Sequence, residues 1–184
     1  METNKETKCQ MMTTECGSKN KKPVNSMAEY RVCGLLDTKH DVIYNLARQC
    51  PSMDVYTDYT YWFIMRYFGD MAYVLTHKEK PIGYILAVDT GLYVVICQMC
   101  ILKDYRGLGL SEYLVDAVVP YAFSKGKCIE FTVDDKNDTA YNAMVSYCQR
   151  HKMTLLKKDN DAYCHFYAGN MDRRESVYQI LPNK

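Results

Sequence analysis

The stretch from Gln98 to Val118 carries the first candidate chemistry. An apolar run gives way at Lys103-Asp104-Tyr105, and Arg106-Gly107-Leu108-Gly109 then leads into Leu110, Leu114, Val115 and Val118 at helical spacing. Two glycines let a backbone bend sharply and bring its N–H groups close to a ligand, and a helix starting there turns its positive dipole end to the same spot. The turn of Arg106, Gly107, Leu108, Gly109, Leu110 and Ser111 therefore reads as a cradle that holds a pyrophosphate by amides rather than by side-chain charge. Its spacing is not that of a P-loop, which closes on Gly-Lys-Ser/Thr, nor of G-x-G-x-x-G with an acidic residue about 20 positions on. An ordinary strand-to-helix turn explains the same glycines, so the flanks must decide.

A second polar group is Asp54-Val55-Tyr56-Thr57-Asp58, with two carboxylates beside hydroxyls. That set suits a primary ammonium held by charge-assisted hydrogen bonds, and a solvated turn is the alternative. Cys97-x-x-Cys100 and Cys148-x-x-His151 have zinc-like spacing. However, residues three apart on a strand point to opposite faces, so these four read as packing and no metal is expected. His40 and His77 fall in capping or turn positions and read as surface groups, while His165 has no evident role.

The elements that position these groups follow from periodicity. Tyr30–Leu36 alternates as a strand, and Asp37-Thr38 offers an N-cap to a helix with Val42, Ile43, Leu46 and Ala47 on one face, closed by Cys50-Pro51. Met53–Phe68 is dense in aromatic residues and reads as a buried helix with Tyr61, Ile64, Met65 and Phe68 inward. Met71–Thr76 and Pro81–Val88 are strands joined by a charged hairpin, and Val94–Leu102 is apolar enough for the middle of a sheet. A helix from Leu110 is ended or kinked by Pro120, Lys127–Val133 is a strand, and Asn137–His151 is a helix. Met153–Lys157 and Ala162–Tyr167 look like a closing antiparallel pair. The order βα-α-βββ-α-β-α-ββ predicts an α/β (α+β) fold with a mixed, mostly antiparallel sheet of about seven strands flanked by helices.

Composition limits the function classes. A chain of 184 residues suits one domain, and a net charge of +1 from 23 basic and 22 acidic residues suggests neither nucleic acid nor an anionic membrane as a partner. The 9 cysteines are odd in number and scattered, which predicts reduced thiols in a cytoplasmic protein. Residues 1–26 are polar, lack a signal peptide's apolar core, and read as a flexible tail before a domain over 27–184.

Together, the long strand, the R-G-x-G turn, the helix, the next strand and Asn137 opening another helix resemble the coenzyme A site of the GNAT acyltransferase superfamily. That motif is Arg/Gln-x-x-Gly-x-Gly/Ala; Arg106 and Gly109 match it, and Ser111 departs. A narrower likeness is to the L-2,4-diaminobutyrate acetyltransferases of ectoine biosynthesis. The segment from Met53 to Asp70 is similar to their L-D-x-N-S-x-Y-x-Y-L-L-L-C-x-H-F-x-D, sharing Asp54, Tyr59, Tyr61, Phe68 and Asp70. Ile129–Asn137 is similar to L-E-T-T-V-T-P-D-N, and Ser176–Pro182 to D-L-Y-R-I-G-P. In that family's V-W-Q-V strand the Trp is replaced here by Cys97, and the Asn of L-D-x-N-S by Tyr56.

The resemblance implies transfer of acetyl from acetyl-CoA to a small primary amine, the γ-amine of L-2,4-diaminobutyrate. Glu130 would take the amine's proton, directly or through water. Asp54 would hold a substrate ammonium, with Tyr56, Thr57, Tyr59 and Cys97 around it. Backbone N–H groups of Met99, Cys100 and Ile101 would polarise the thioester oxygen. The turn from Arg106 to Ser111, with Asn137, would bind the coenzyme. Many superfamily members protonate the leaving thiolate with a Tyr whose place is taken here by Met144, between Tyr141 and Tyr147, so water is expected to serve. The family's pairing of edge strands and C-terminal segments leaves a homodimer open. Another small amine (a polyamine or an amino-sugar antibiotic) and a non-catalytic coenzyme A-binding module remain as alternatives.

Overall fold

The computed structural model describes residues 29–50, 53–68, 71–167 and 170–182. The tail expected over 1–26, together with Cys9, Cys16, Pro51 and Asp70, lies outside the described residues. In chain order the elements are β1 (Tyr30–Gly34), α1 (His40–Arg48), α2 (Asp58–Phe68), β2 (Met71–His77), β3 (Lys80–Asp89), β4 (Val94–Ile101), α3 (Ser111–Ser124), β5 (Ile129–Asp134), α4 (Asp138–Arg150), β6 (Thr154–Tyr167) and β7 (Asn170–Leu181).

The strands form one 7-stranded sheet in the order β1-β2-β3-β4-β5-β7-β6. Only β4 and β5 run parallel; every other neighbouring pair is antiparallel. β4 is central, as its apolar run predicts.

A helical layer covers each face. Val94, Ile96, Ile129, Phe131 and Ile180 pack against Leu114, Val115, Val118 and Ala122 of α3 and Met144 and Tyr147 of α4. On the other face Ala72, Val74, Tyr84, Leu86 and Cys100 pack against Ile43, Leu46 and Ala47 of α1 and Tyr61 and Met65 of α2. β4 serves both layers because its register with β3 slips: Ala87 faces Ile96 while Leu86 faces Gln98, leaving Cys97 without an opposite residue. A bulged strand turns its later side chains to the other face, and Gln98 and Cys100 accordingly point toward α2.

Five expectations are corrected. α1 starts at His40 after a 3-10 turn over Asp37–Lys39, so its N-cap position falls on Lys39, whose side chain makes no capping bond, and not on Asp37-Thr38. α2 is not a buried aromatic helix: only Tyr61 and Met65 are buried, while Tyr59, Phe63, Tyr67 and Phe68 are exposed and stack along its outer side. One face suffices to pack it on α1 and the sheet, and the remaining rings have each other. α3 runs through Pro120 to Ser124, because the buried Val118, Val119 and Ala122 hold the last turns despite the one amide bond a proline forfeits.

The expected closing pair is a single strand, β6, whose two halves both pair with β7. The polar residues between Lys157 and Ala162 are taken up by a register shift rather than by a turn. The thiols are not all reduced, since Cys50 beyond α1 and Cys100 on β4 form a disulfide across 50 residues of sequence. Cys97, Cys128, Cys148 and Cys164 are free thiols. The zinc-like set does not assemble: Cys100 is bonded to Cys50, Cys148 lies in the opposite core, and His151 pairs with Glu112.

Candidate active site

The cradle forms where β4 and β5 part. Their pairing runs from Val94–Ile129 to Ile96–Phe131 and stops there, so among the described residues the β5-facing edge of β4 has no strand partner from Cys97 onward. Past Ile101 the chain makes a 3-10 turn over Lys103–Tyr105, and Arg106 Nε donates to the Ile101 carbonyl at 2.8 Å. The arginine thus fastens the turn to the end of the strand.

Gly107 and Gly109 have φ of 78° and 74°, the left-handed region that penalises any side chain. Nothing lies within 4 Å of where a Cβ would stand on either, so the space beside the turn is open. Leu110 is buried and anchors the turn, Leu108 is exposed, and no side chain caps the first amides of α3. Open amides, left-handed glycines and a helix N-terminus fit a diphosphate. Asn137 Oδ1 accepts the Ala140 N–H at 3.1 Å and caps α4.

The second half of the site lies on the α1–α2 face. Register sets Glu130, Thr132 and Asp134 of β5 opposite Gln179, Val177 and Glu175 of β7, and Tyr163 and His165 of β6 opposite Glu175 and Arg173. Alternation puts all of them on one face, and the loop after α1 brings Asp54 and Tyr56 against it. Glu130 Oε2 accepts from Gln179 Nε2 at 2.8 Å, and Glu175 accepts from Thr132 Oγ1 at 2.5 Å and meets His165 Nε2 at 2.9 Å. Arg173 Nη2 bonds Asp54 and lies 3.5 Å from Glu175, while its Nε is 3.6 Å from Asp134. The hydrogen bond to Asp54 raises the arginine's pKa further, so it stays charged.

Three carboxylates thus surround one guanidinium, and the excess negative charge favours a cation. Burial, with Cys97, Glu175 and Asp54 adding to it, pushes the Tyr56 hydroxyl to about 12, and burial pushes the Cys97 thiol to about 11. Both remain neutral donors near pH 7.

Of the residues singled out from sequence, Asp54, Tyr56, Cys97 and Glu130 are on this face. Thr57 and Tyr59 make other contacts. Thr57 Oγ1 accepts the Thr60 N–H at 3.2 Å and caps α2, and Tyr59 is 65% exposed with its ring against Trp62 and Phe63. Arg173, Glu175, Asp134 and His165 went unrecognised. Asp172-Arg173-Arg174-Glu175 reads as a solvated charge run until period-2 alternation sends Arg173 and Glu175 inward.

At the position expected for a tyrosine acid the contacts are internal. Met144 is buried, Tyr141 stacks on Tyr178, and Tyr147 donates to Asp116 at 2.7 Å with its pKa raised by burial.

A central sheet that parts beside a glycine turn and a helix N-terminus, with an acidic face on the far side, is the framework on which the site is built. Residues 40–148 match the Acetyltransferase (GNAT) family, and the chain belongs to that family. It is 33% identical over 123 residues to the L-2,4-diaminobutyric acid acetyltransferase of Halomonas elongata, a match spanning 64% of each chain. Its fold is similar to that of the diaminobutyrate acetyltransferase of Paenibacillus lautus, solved with L-2,4-diaminobutyric acid and coenzyme A. The TM-score is 0.71 at 18% identity, over 84% of this chain and 95% of that one. The ribosomal-protein-S18-alanine N-acetyltransferase of Escherichia coli shares the fold at a TM-score of 0.65 and 12% identity, over 84% of this chain and 96% of the other.

Proposed function

We propose that the protein is an acetyl-CoA-dependent N-acetyltransferase acting on a primary amine of a small amino acid, the γ-amine of L-2,4-diaminobutyrate. The observation that carries this reading is the acidic face of Asp54, Glu130, Asp134 and Glu175 beside the opening between β4 and β5, with the glycine turn at the far end of the same strand. Two relatives that carry this activity in their names support it.

Coenzyme A supplies the acetyl group as a thioester. The open amides of the turn from Gly107 to Ser111 hold its diphosphate, and the amides of Met99 and Ile101, which alternate to the unpaired edge of β4 while that of Cys100 faces β3, polarise the thioester oxygen. Asp54 and its neighbours attract the ammonium end of the acceptor. An alkyl ammonium has a pKa of about 10, so it must lose a proton before attack, and Glu130 accepts it directly or through one water. With Tyr147 bonded to Asp116, the leaving thiolate takes its proton from water. The acceptor is a small amine in the cytoplasm, and two copies of the chain pair through edge strands, which light scattering tests.

Thiol release with diaminobutyrate, ornithine, lysine and polyamines tests the reaction. Turnover highest with diaminobutyrate is expected. Turnover with none of them overturns the acceptor class, and turnover with polyamines alone overturns the amino-acid reading. A second reading, acetylation of a different primary amine, is favoured by one observation: Cys97 stands where an aromatic wall is expected, beside Tyr56. Coenzyme binding without any turnover would instead mark a binding module.

A further inference from the structure

Gln98 is a polar side chain buried between the two halves of the site, 9% exposed in an otherwise apolar strand. Both ends of its amide are used. Oε1 accepts from the hydroxyls of Tyr61 at 2.9 Å and Tyr84 at 2.8 Å. Nε2 donates to the backbone carbonyl of Asp54 at 2.7 Å. The Tyr61 oxygen in turn accepts the Tyr56 N–H at 3.3 Å.

The polarity of this network is determined throughout. Two hydroxyl donors select the amide oxygen and a carbonyl selects the nitrogen, so no flipped amide satisfies all partners. A buried position opposite Leu86 would be filled as well by Leu or Met if packing were its only role. What the amide adds is a bond to the loop. Among the described residues, the other backbone bonds of that segment are local: Met53 N–H to the Cys50 carbonyl, and Thr60 and Tyr61 N–H to the Thr57 carbonyl. The Gln98 bond to the Asp54 carbonyl thus ties the loop's backbone to the sheet, beside the side-chain ties of Asp54 to Arg173 and of Met53 Sδ to the Tyr84 hydroxyl, while the Tyr56 N–H fastens the loop to α2.

We propose that Gln98, anchored by Tyr61 and Tyr84, is a positioning residue for the amine acceptor. It sets the loop carrying Asp54 and Tyr56 relative to the next residue on β4, Met99, whose amide faces the donor. The inference rests on the acetyl-transfer reading above for its kinetic consequence and on the loop geometry alone for its structural one.

Gln98→Glu is the test. The new carboxylate still accepts from both tyrosines but presents an oxygen, not an N–H, to the Asp54 carbonyl. The amine KM is expected to rise about tenfold near pH 8, the scale of one buried hydrogen bond, with kcat at saturating amine and the acetyl-CoA KM within about threefold. The rise should shrink at lower pH, where the carboxyl regains a proton to donate. Hydrogen exchange of peptides covering residues 53–60 should quicken while β2–β4 stay protected. Should this variant fail to fold, Tyr61→Phe removes the acceptor of the Tyr56 N–H and predicts the same split in weaker form. Unchanged amine KM with unchanged loop exchange, or equal shifts in amine and acetyl-CoA KM, overturns the proposal. Absence of turnover by the unmutated protein overturns the acceptor assignment instead, and the exchange data then decide the loop's dependence on Gln98.

Discussion

Replacing Glu130 with Gln removes the proposed base while preserving shape, and its effect can be worked from the site. Glu130 lies on β5 opposite Gln179, from which its Oε2 accepts a hydrogen bond at 2.8 Å. The new amide can rotate to offer its oxygen to the same donor. The structural loss is then that between a charged and a neutral hydrogen bond, about 1 kcal/mol, which lowers the Tm of a domain this size by about 2–4 °C. General-base catalysis contributes about 10²–10⁴-fold, or about 3–5 kcal/mol of barrier at 1.36 kcal/mol per tenfold. Chemistry should therefore suffer far more than stability. Steady-state thiol release with diaminobutyrate should show kcat down by about a hundredfold or more, with the acidic limb of the pH profile lost. Calorimetry should show acetyl-CoA bound as before. A kcat within about threefold of the unmutated value, with an intact pH limb, would refute the assignment and move the base to another carboxylate on the same face, Glu175 or Asp134.

Asp54→Asn should raise the amine KM by about tenfold and leave the acetyl-CoA KM alone; a larger effect is not expected because that side chain is 61% exposed and its charge is screened. Gly109→Ala forces a Cβ into φ of 74°, costing about 1–2 kcal/mol though nothing crowds it. The acetyl-CoA KM should rise while the amine KM holds, which the same assay separates. Asp89 accepts from Lys127 Nζ at 2.5 and 2.7 Å, from the Gly91 N–H and from Tyr121, and these bonds, Lys127 first, hold its carboxyl at about 2. A folded pKa below the unfolded value of about 3.9 means stabilisation present above that value and lost as pH falls toward 2. Thermal melts should drop through this window, and Asp89→Asn should flatten the drop. Tyr147→Phe should lower stability by about 1 kcal/mol through the lost Asp116 bond but keep kcat within about twofold, because that hydroxyl is engaged with Asp116.

The glycine turn was legible because its evidence is local. Gly107 and Gly109 adopt the left-handed backbone that their lack of a side chain permits, and the apolar periodicity of β4 and α3 brackets them. The aromatic character of α2 was legible but not its exposure, since Tyr59, Phe63 and Tyr67 recur at spacings that suit either a core or a stacked outer face. Met153–Lys157 and Ala162–Tyr167 were separated by letters that look like a turn, and only pairing with β7 shows them as one strand.

Sequence by itself determined the order of elements as far as α4, the central place of β4 and the glycine turn, because each depends on neighbours within a few residues. Tertiary structure alone decided the composition of the acceptor face. Arg173 reaches Asp54 across 119 positions, Glu175 reaches Thr132 across 43, and Gln98 reaches Asp54 across 44. Such partners meet through sheet register and a one-residue bulge at Cys97, and a shift of one residue would turn every side chain on the strand to the opposite face.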